Sequence, residues 1–557
     1  MSGAFPSIWA LSVSVPESYR RACRLLDIET APEAILVASY VITTVLSVGG
    51  IAGLVLFGSR VGGITLISLA GFALVGGRYG VELAAQARRI RALGTAPSLV
   101  TRLVLAVELW PTTERAAAFA SRTGSGLLAE SLATHHQRAR DSPHSGLRTF
   151  ADEWGETFPA LERALTGVKR AAAAPADERS EILATTRRLL LDGTREEMAS
   201  FAASLRIPTT ALYAFGVLLP LALVALVPAA GMAGIPVTGS FLVAVYVVVL
   251  PLGLVVAVAW LLAKRPVAFP PVTVPRSHPE VPDSPWRGLL AGFTVGGGCL
   301  ALGTALLPVW GVPVAALGSG VGTALVVVYR PVVTVREHVV AVESALPSAL
   351  QALGRRIDRG EAVETAIGTV ADESQAPLAA VLDAASCRQR RLGLTVDGAF
   401  TGEYGPLATL PSRRVREAVA LLSAAATIGP PAGEVVTEMG DHLSDLREVE
   451  AETRRDLAQI TGTLTNTAGL FGPLVGGATV ALAGSIGTTG PVSTVSVSVL
   501  GPVVGWYILL LAVVLTTLAV GLRRGLDRAL VGYRVGLALL SATVAYFAAI
   551  TGTGLLV

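Results

Sequence analysis

Three stretches of this chain, residues 207–263, 288–329 and 457–522, contain no Asp, Glu, Lys or Arg. An apolar helix of about 20 residues crosses the hydrocarbon core of a bilayer. Runs of 57, 42 and 66 residues therefore each have room for two spans and a turn. Two more apolar stretches, 34–57 and 61–77, read as a hairpin broken at Gly58-Ser59-Arg60, and 535–557 offers a last span. A segment in lipid must satisfy its own backbone, so spans of this length are helices. Charged residues are only 15% of the chain, well below the share usual in soluble domains. The expected fold is all-α: a polytopic membrane protein with about nine transmembrane helices.

Nearly all the Asp and Glu lie in two polar segments, and these divide the chain. A short segment, 1–33, precedes a transmembrane hairpin, 34–80, and a first helical domain, 81–206. A second hairpin, 207–263, leads through a Pro-rich linker, 264–287, to a third hairpin, 288–330. A second helical domain, 331–460, is followed by a transmembrane pair, 461–522, and by a basic turn with the final span, 523–557. Basic residues orient such chains, because cytoplasmic loops are enriched in Lys and Arg. With the N-terminus inside, only Arg60 of the 44 Lys and Arg residues falls outside. The expected location is the cell membrane, with the N-terminus and both large domains cytoplasmic. The first residues lack a basic region ahead of their apolar ones, and Pro16 and Glu17 interrupt them, so they do not read as a secretory signal.

The halves resemble each other at an offset of 250 residues: Pro97-Ser98 parallels Pro347-Ser348, Glu114 parallels Glu364, and Leu132 parallels Leu382. Farther on, at a slightly larger offset, Phe215-Gly216 parallels Phe471-Gly472. Each half thus reads as two spans, a bundle and two spans. In the second domain Leu346, Leu350, Leu353 and Ile357 share one helical face that ends at Gly360,. Further helices are expected over 362–370, 413–425 (stopped by Gly429-Pro430-Pro431) and 436–449, the last running straight into a span. No convincing strand pattern occurs.

Motifs for chemistry are missing. No phosphate-binding GxxxxGK[ST] loop and no nucleophile elbow occur,. The three cysteines stand apart. His135, His136 and His144 lack a completing Cys or carboxylate and read as solvent-exposed. No Asp or Glu falls inside an expected span, which disfavours an ion-coupled pump. A net charge of +3 gives no sign of nucleic acid. The expectation is a non-enzyme without cofactor or metal. Gly472 and Gly476, like Gly49 with Gly53 and Gly292 with Gly296, have the spacing of close helix packing. Pro220, Pro251, Pro473 and Pro502 are expected to kink their spans. The second domain, with 19 acids against 13 bases over 336–456, is the more acidic, the first having 15 against 16 over 82–197.

The second half resembles a known family. Leu346-Pro347, the turn Arg359-Gly360 and residues 362–367 resemble the opening of the type II secretion F domain. Gly433-Glu434-Val435, followed by Leu443-Ser444-Asp445-Leu446-Arg447, Glu450 and Arg454-Arg455, resembles its second signature, a Gly followed by a charged helix entering a span. In the first half 171–177 occupies that place without the leading Gly. A duplicated domain with about nine spans is more similar to archaeal pilus and archaellum platforms than to the shorter bacterial ones. The resemblance implies a scaffold that contacts a hexameric secretion ATPase and prepilin-like subunits in membrane lipid, as an expected homo-oligomer. The docking face expected is the acidic helix bearing Gly433, Glu434, Asp441, Asp445, Glu448 and Glu452. A multi-pass permease with cytoplasmic regulatory domains is the alternative.

Overall fold

The computed structural model describes residues 15–554 except 27, 29, 56–59, 125, 140–144, 156–157, 234–236, 264–273, 276–277, 283, 429–431 and 490–495. Most of the expected linker, the 58–59 part of the first turn, His144 and the stop at 429–431 therefore lie outside the described residues.

Every regular element among the described residues is helical. A short helix, α1 (Glu17–Leu25), precedes the hairpin α2 (Pro32–Val55) and α3 (Arg60–Leu93). The first bundle comprises α4 (Ala96–Leu109), α5 (Thr113–Thr123), α6 (Leu127–Ala139), α7 (Gly146–Gly155), α8 (Pro159–Ala173) and the start of α9 (Ala176–Tyr213). A π-helical turn, Ala214–Leu218, joins α9 to α10 (Leu219–Met232). Then come α11 (Gly239–Val243), a second π turn (Ala244–Val249) and α12 (Leu250–Ala263).

The second half repeats this order. Helices α13 (Trp286–Leu306) and α14 (Val312–Asp358) form the hairpin. The bundle adds α15 (Val363–Glu373), α16 (Leu378–Leu392), α17 (Val396–Thr401), α18 (Arg413–Ile428) and α19 (Ala432–Asn466). A third π turn, Thr467–Phe471, leads into α20 (Gly472–Thr489), followed by α21 (Val497–Arg524) and the unduplicated α22 (Arg528–Gly554). Helices α5 and α15 begin and end 250 residues apart. One break distinguishes the halves: α3 and α4 are separated at Gly94-Thr95, whereas α14 runs on through the equivalent place.

Among the described residues eight helices are long and apolar enough to cross a membrane. They are α2, α9 with α10, α11 with α12, α13, α14, α19 with α20, α21 and α22. The ninth expected span, 61–77, forms the first part of α3 and is not among them. Their outward faces carry large apolar side chains such as Val45, Phe215, Leu226, Phe293, Leu302 and Val544, a surface suited to lipid rather than water. Helix α14, with 47 residues, is about 70 Å long at ~1.5 Å per residue. That exceeds a hydrocarbon core of about 30 Å more than twofold, and the surplus carries the second bundle. Three cores result. One joins the apolar helices through Val224, Tyr246, Leu515 and Ala542, and each bundle has its own, around Leu103, Phe150 and Leu161 in the first and Leu350, Phe400 and Val436 in the second.

Three of the four expected proline kinks are π turns. Each π turn ends two residues before a proline, at Pro220, Pro251 and Pro473. Proline has no N–H for the carbonyl four residues back and its ring clashes with it. Widening the preceding turn by one residue relieves both. Pro502 stays inside a continuous α21. In the first half the carbonyl concerned, that of Gly216, accepts the Tyr507 hydroxyl at 2.5 Å.

Helices α1, α16 and α17 were not foreseen from the sequence. Helix α1 docks through the fully buried Tyr19, whose hydroxyl donates to the Gly77 carbonyl at 3.1 Å. His135 departs from the solvent-exposed expectation. It is half-buried, 2.6 Å from Glu153 through Nε2 and 3.0 Å from Thr149 through Nδ1. Among the described residues no group of three His, Cys, Asp or Glu is placed to hold a metal.

Candidate partner interface

Helix α19 bears all six residues expected to dock a partner. Its buried face packs along α14 through glycines. A Cβ on Gly433 would lie 2.7 Å from the Asp358 nitrogen, and one on Gly440 would lie 2.9 Å from the Pro347 carbonyl. From the other side, a Cβ on Gly354 would lie 2.6 Å from both the Gly433 carbonyl and the Thr437 nitrogen. Backbone cannot yield as a side chain can. Gly433 is thus placed in the seam between two helices rather than on a free surface. Gly354→Val is expected to destabilise the second bundle by about 3 kcal/mol, the upper end for overpacking. The urea midpoint of the solubilised protein, followed by circular dichroism, measures it.

The acidic residues divide by what they face. Asp441 accepts the Gln351 side-chain amide at 2.6 Å on the exposed surface. Asp445 is half-buried, and burial raises its carboxyl above the ordinary value against the opposing pull of Arg187. Glu434 is exposed. Glu448 and Glu452 point toward the first bundle, 3.6 and 3.8 Å from Arg195 of α9. Part of the expected docking face is therefore turned toward the chain's other half.

That contact continues inward as a buried polar seam. Arg187 of α9 lies 3.6 Å from Glu438 of α19. Arg102 of α4 pairs with Glu417 of α18, which Arg413 also holds at 2.8 Å. The Thr101 hydroxyl meets His442 Nε2 at 2.6 Å. His442 is 2% exposed, and burial, then Arg187 and Arg414, push it down to about 3, so it is neutral. Glu108 of α4 lies against Glu438. Burial first, then this contact, pushes its carboxyl up to about 8. A protonated Glu108 donates to Glu438, the half-burial and the neighbouring carboxylate both favouring its neutral form,. Apolar contacts seal the seam, with Leu105 and Leu191 of the first bundle inside the second bundle's core.

These seam residues were not singled out from sequence. A signal was present: Arg102 and Glu108 are the only charges in an apolar α4, a pattern that asks for buried partners. The packing glycines divide as well. A Cβ on Gly292 would lie 2.5 Å from the Gly320 carbonyl, and one on Gly296 3.0 Å from that of Ala316, which locks α13 onto α14. Gly476 faces Ile508 of α21, whereas a Cβ on Gly472 would meet the preceding π turn, 2.8 Å from the Thr467 carbonyl. In the first hairpin Gly50, rather than Gly49, makes the close approach: a Cβ there would lie 2.9 Å from the Gly63 carbonyl.

Compared with known proteins, the chain matches no protein-family model, no curated protein and no solved structure.

Proposed function

We propose that the chain is the integral-membrane platform of a type IV pilus-like or type II secretion-like assembly machine. In this reading it couples a cytoplasmic hexameric ATPase to the movement of prepilin-like subunits in the membrane. One observation carries the proposal. Helices α9 and α19 each run from a bundle into an apolar span, and Arg187–Glu438 with Arg195–Glu448 and Arg195–Glu452 tie the two together. No Pro or Gly interrupts α19 between Asp441 and Ile460, so a push on the bundle reaches the membrane without a soft joint. The F-domain resemblance of 342–471 and the uneven basic residues support the same reading, with both bundles in the cytoplasm.

The division of the acidic face refines the roles. Glu434, Asp441 and Asp445 remain the docking residues for the motor, while Glu448 and Glu452 couple the two long helices. The test uses the full chain with its assembly ATPase. Inserting Gly-Gly after Ile460 should leave capture of the ATPase intact and abolish filament formation, and the purified protein should hydrolyse no nucleotide. Failure to capture any assembly ATPase, combined with solute flux in proteoliposomes lacking one, would overturn the reading in favour of a permease.

A further inference from the structure

At the basic rim of the apolar helices α19, α21 and α22 line a half-open cavity of about 210 Å³. Its lining includes Arg523 and Arg524 from the last turn of α21 and Arg534 from α22, all three exposed. The rest of its polar lining is Thr465 and Ser541, both exposed, with Gly469 of the π turn and the buried Thr516, and one wall is apolar, with Val520, Leu530 and Leu537. At ~30 Å³ per water the space holds about seven. That is small for a drug-sized ligand and ample for a phosphoryl group with part of what it esterifies.

Two independent observations point to an anionic occupant. The first is charge without counter-charge. Arg524 has Arg336, Arg454, Arg534 and Arg523 as electrostatic neighbours. The nearby acids are already engaged: Asp527 holds Arg336 at 2.8 Å and Glu450 holds Arg454 at 2.6 Å. Among the described residues Arg523, Arg524 and Arg534 make no ion pair. Arginines at a helix end often serve only to reach the interface, and that alone would not need a cavity.

The second observation is in the cavity's lining. Serine and threonine inside helices usually return their hydroxyl to a carbonyl one turn back. Thr517 does so to Val513 at 2.7 Å, Thr465 to Thr461 at 2.8 Å and Ser541 to Ala538 at 3.0 Å. Thr516 does not. It is 2% exposed, its Oγ1 has no partner, and it lines the same cavity as the arginines. A buried hydroxyl is rarely left unbonded. Here it is an unpartnered donor in the lining of a basic cavity.

We propose that this cavity binds the phosphate of an anionic lipid head group, with Arg524 and Arg534 on the phosphate and Thr516 donating to an oxygen of the same group. The chemistry that the site recognises is a phosphate ester, and the apolar wall beside Leu537 selects a lipid over a free ion. Basic pockets between transmembrane helices bind head groups in this way. The proposal needs the membrane assignment but not the assembly function.

The test is native mass spectrometry of the full chain in non-ionic detergent. The probes are dioleoyl phosphatidylglycerol, dioleoyl phosphatidylcholine and inorganic phosphate. One phosphatidylglycerol should bind about tenfold more tightly than phosphatidylcholine, and excess inorganic phosphate should not displace it. Arg524→Gln with Arg534→Gln should weaken it by about tenfold or more. Arg528→Gln, off the cavity, should change it less than about twofold. Thr516→Val, which keeps the shape and removes a polar atom, should weaken the lipid about fivefold, roughly one hydrogen bond, without lowering the lipid-free melting temperature. Displacement by inorganic phosphate alone would make it an ion site and overturn the lipid assignment. Unchanged binding in Thr516→Val, or equal losses for Arg528→Gln and the double variant, would reduce the effect to surface attraction and overturn the site.

Discussion

Asp527→Ala is expected to lower the stability of the solubilised protein by about 4 kcal/mol, through two separate losses. Asp527 sits in the turn between α21 and α22. Its Oδ1 caps α22 by accepting the backbone N–H of Ala529 at 2.8 Å, and its Oδ2 holds Arg336 of α14 at 2.8 Å. Losing the cap costs about 1 kcal/mol. Leaving Arg336 without its carboxylate costs more, because Arg336 is only 8% exposed. Stranding one member of a buried pair costs about 3–5 kcal/mol, whereas replacing both with apolar residues is often neutral. Asp527→Asn, which keeps the capping oxygen, should therefore retain the capping share only. Arg336→Met combined with Asp527→Asn should recover most of the stability. Urea denaturation of the four proteins measures this. If Asp527→Asn matches wild type, the ion pair contributes nothing and only the cap remains. The consequence is mechanical as well, since this joint fixes α14, the stem of the second bundle, to the last span.

The architecture was legible where the physics was one-dimensional. Uncharged runs mark apolar helices whatever they pack against, and the repeat showed through the matched prolines at 97 and 347. The bundle helices on either side of Gly360 followed from apolar spacing, and Gly360 takes a positive φ of 86° where the helix stops. Helix α16 carried a readable face, with Leu378, Val381, Leu382, Ala385 and Ser386 buried at helical spacing; only the short α17 lacks one, and it depends on a Thr395 cap and on Phe400 reaching the core. The candidate interface was legible only in outline. Nothing in the sequence of α19 distinguishes Glu448, turned to Arg195, from Asp441, turned to Gln351. That distinction belongs to how two halves 250 residues apart come together, as does the partnership of Thr101 with His442. The π turns lie between these cases: prolines marked the places, but only the backbone reveals the extra residue that relieves them.

The closed contact between the two bundles is expected to loosen as pH rises from about 5 to 8, and Glu108→Gln to abolish most of that dependence. The sign follows from Glu108, whose carboxyl moves from an ordinary 4.5 to about 8 when buried against Glu438. Below 4.5 it is protonated whether the seam is open or closed, so pH has no leverage through it. Between 4.5 and 8 the closed seam retains a proton that the open one releases, and each step upward in pH favours opening. Above 8 the penalty is complete. The groups facing it are Glu438 and Glu434 from α19, which raise it, and Arg187 from α9, which lowers it. His442, pushed down to about 3, stays neutral throughout the window. Glutamine donates the same hydrogen bond to Glu438 with no proton to lose. For a half-buried carboxyl screened in part by solvent, the gain at pH 8 is about 2–3 kcal/mol. Hydrogen exchange over α4 and α19 at pH 6 and 8, corrected for intrinsic rates, provides the measurement. Protection in the wild-type protein should fall between the two pH values, and in Glu108→Gln it should hold. A variant that loses protection as steeply as wild type would place the titrating group elsewhere in the seam. A loss confined to α19 would show that the second bundle loosens by itself. The expected parallel loss in α4 and α19 would instead mark the two bundles parting along the line that Glu108 and Glu438 share.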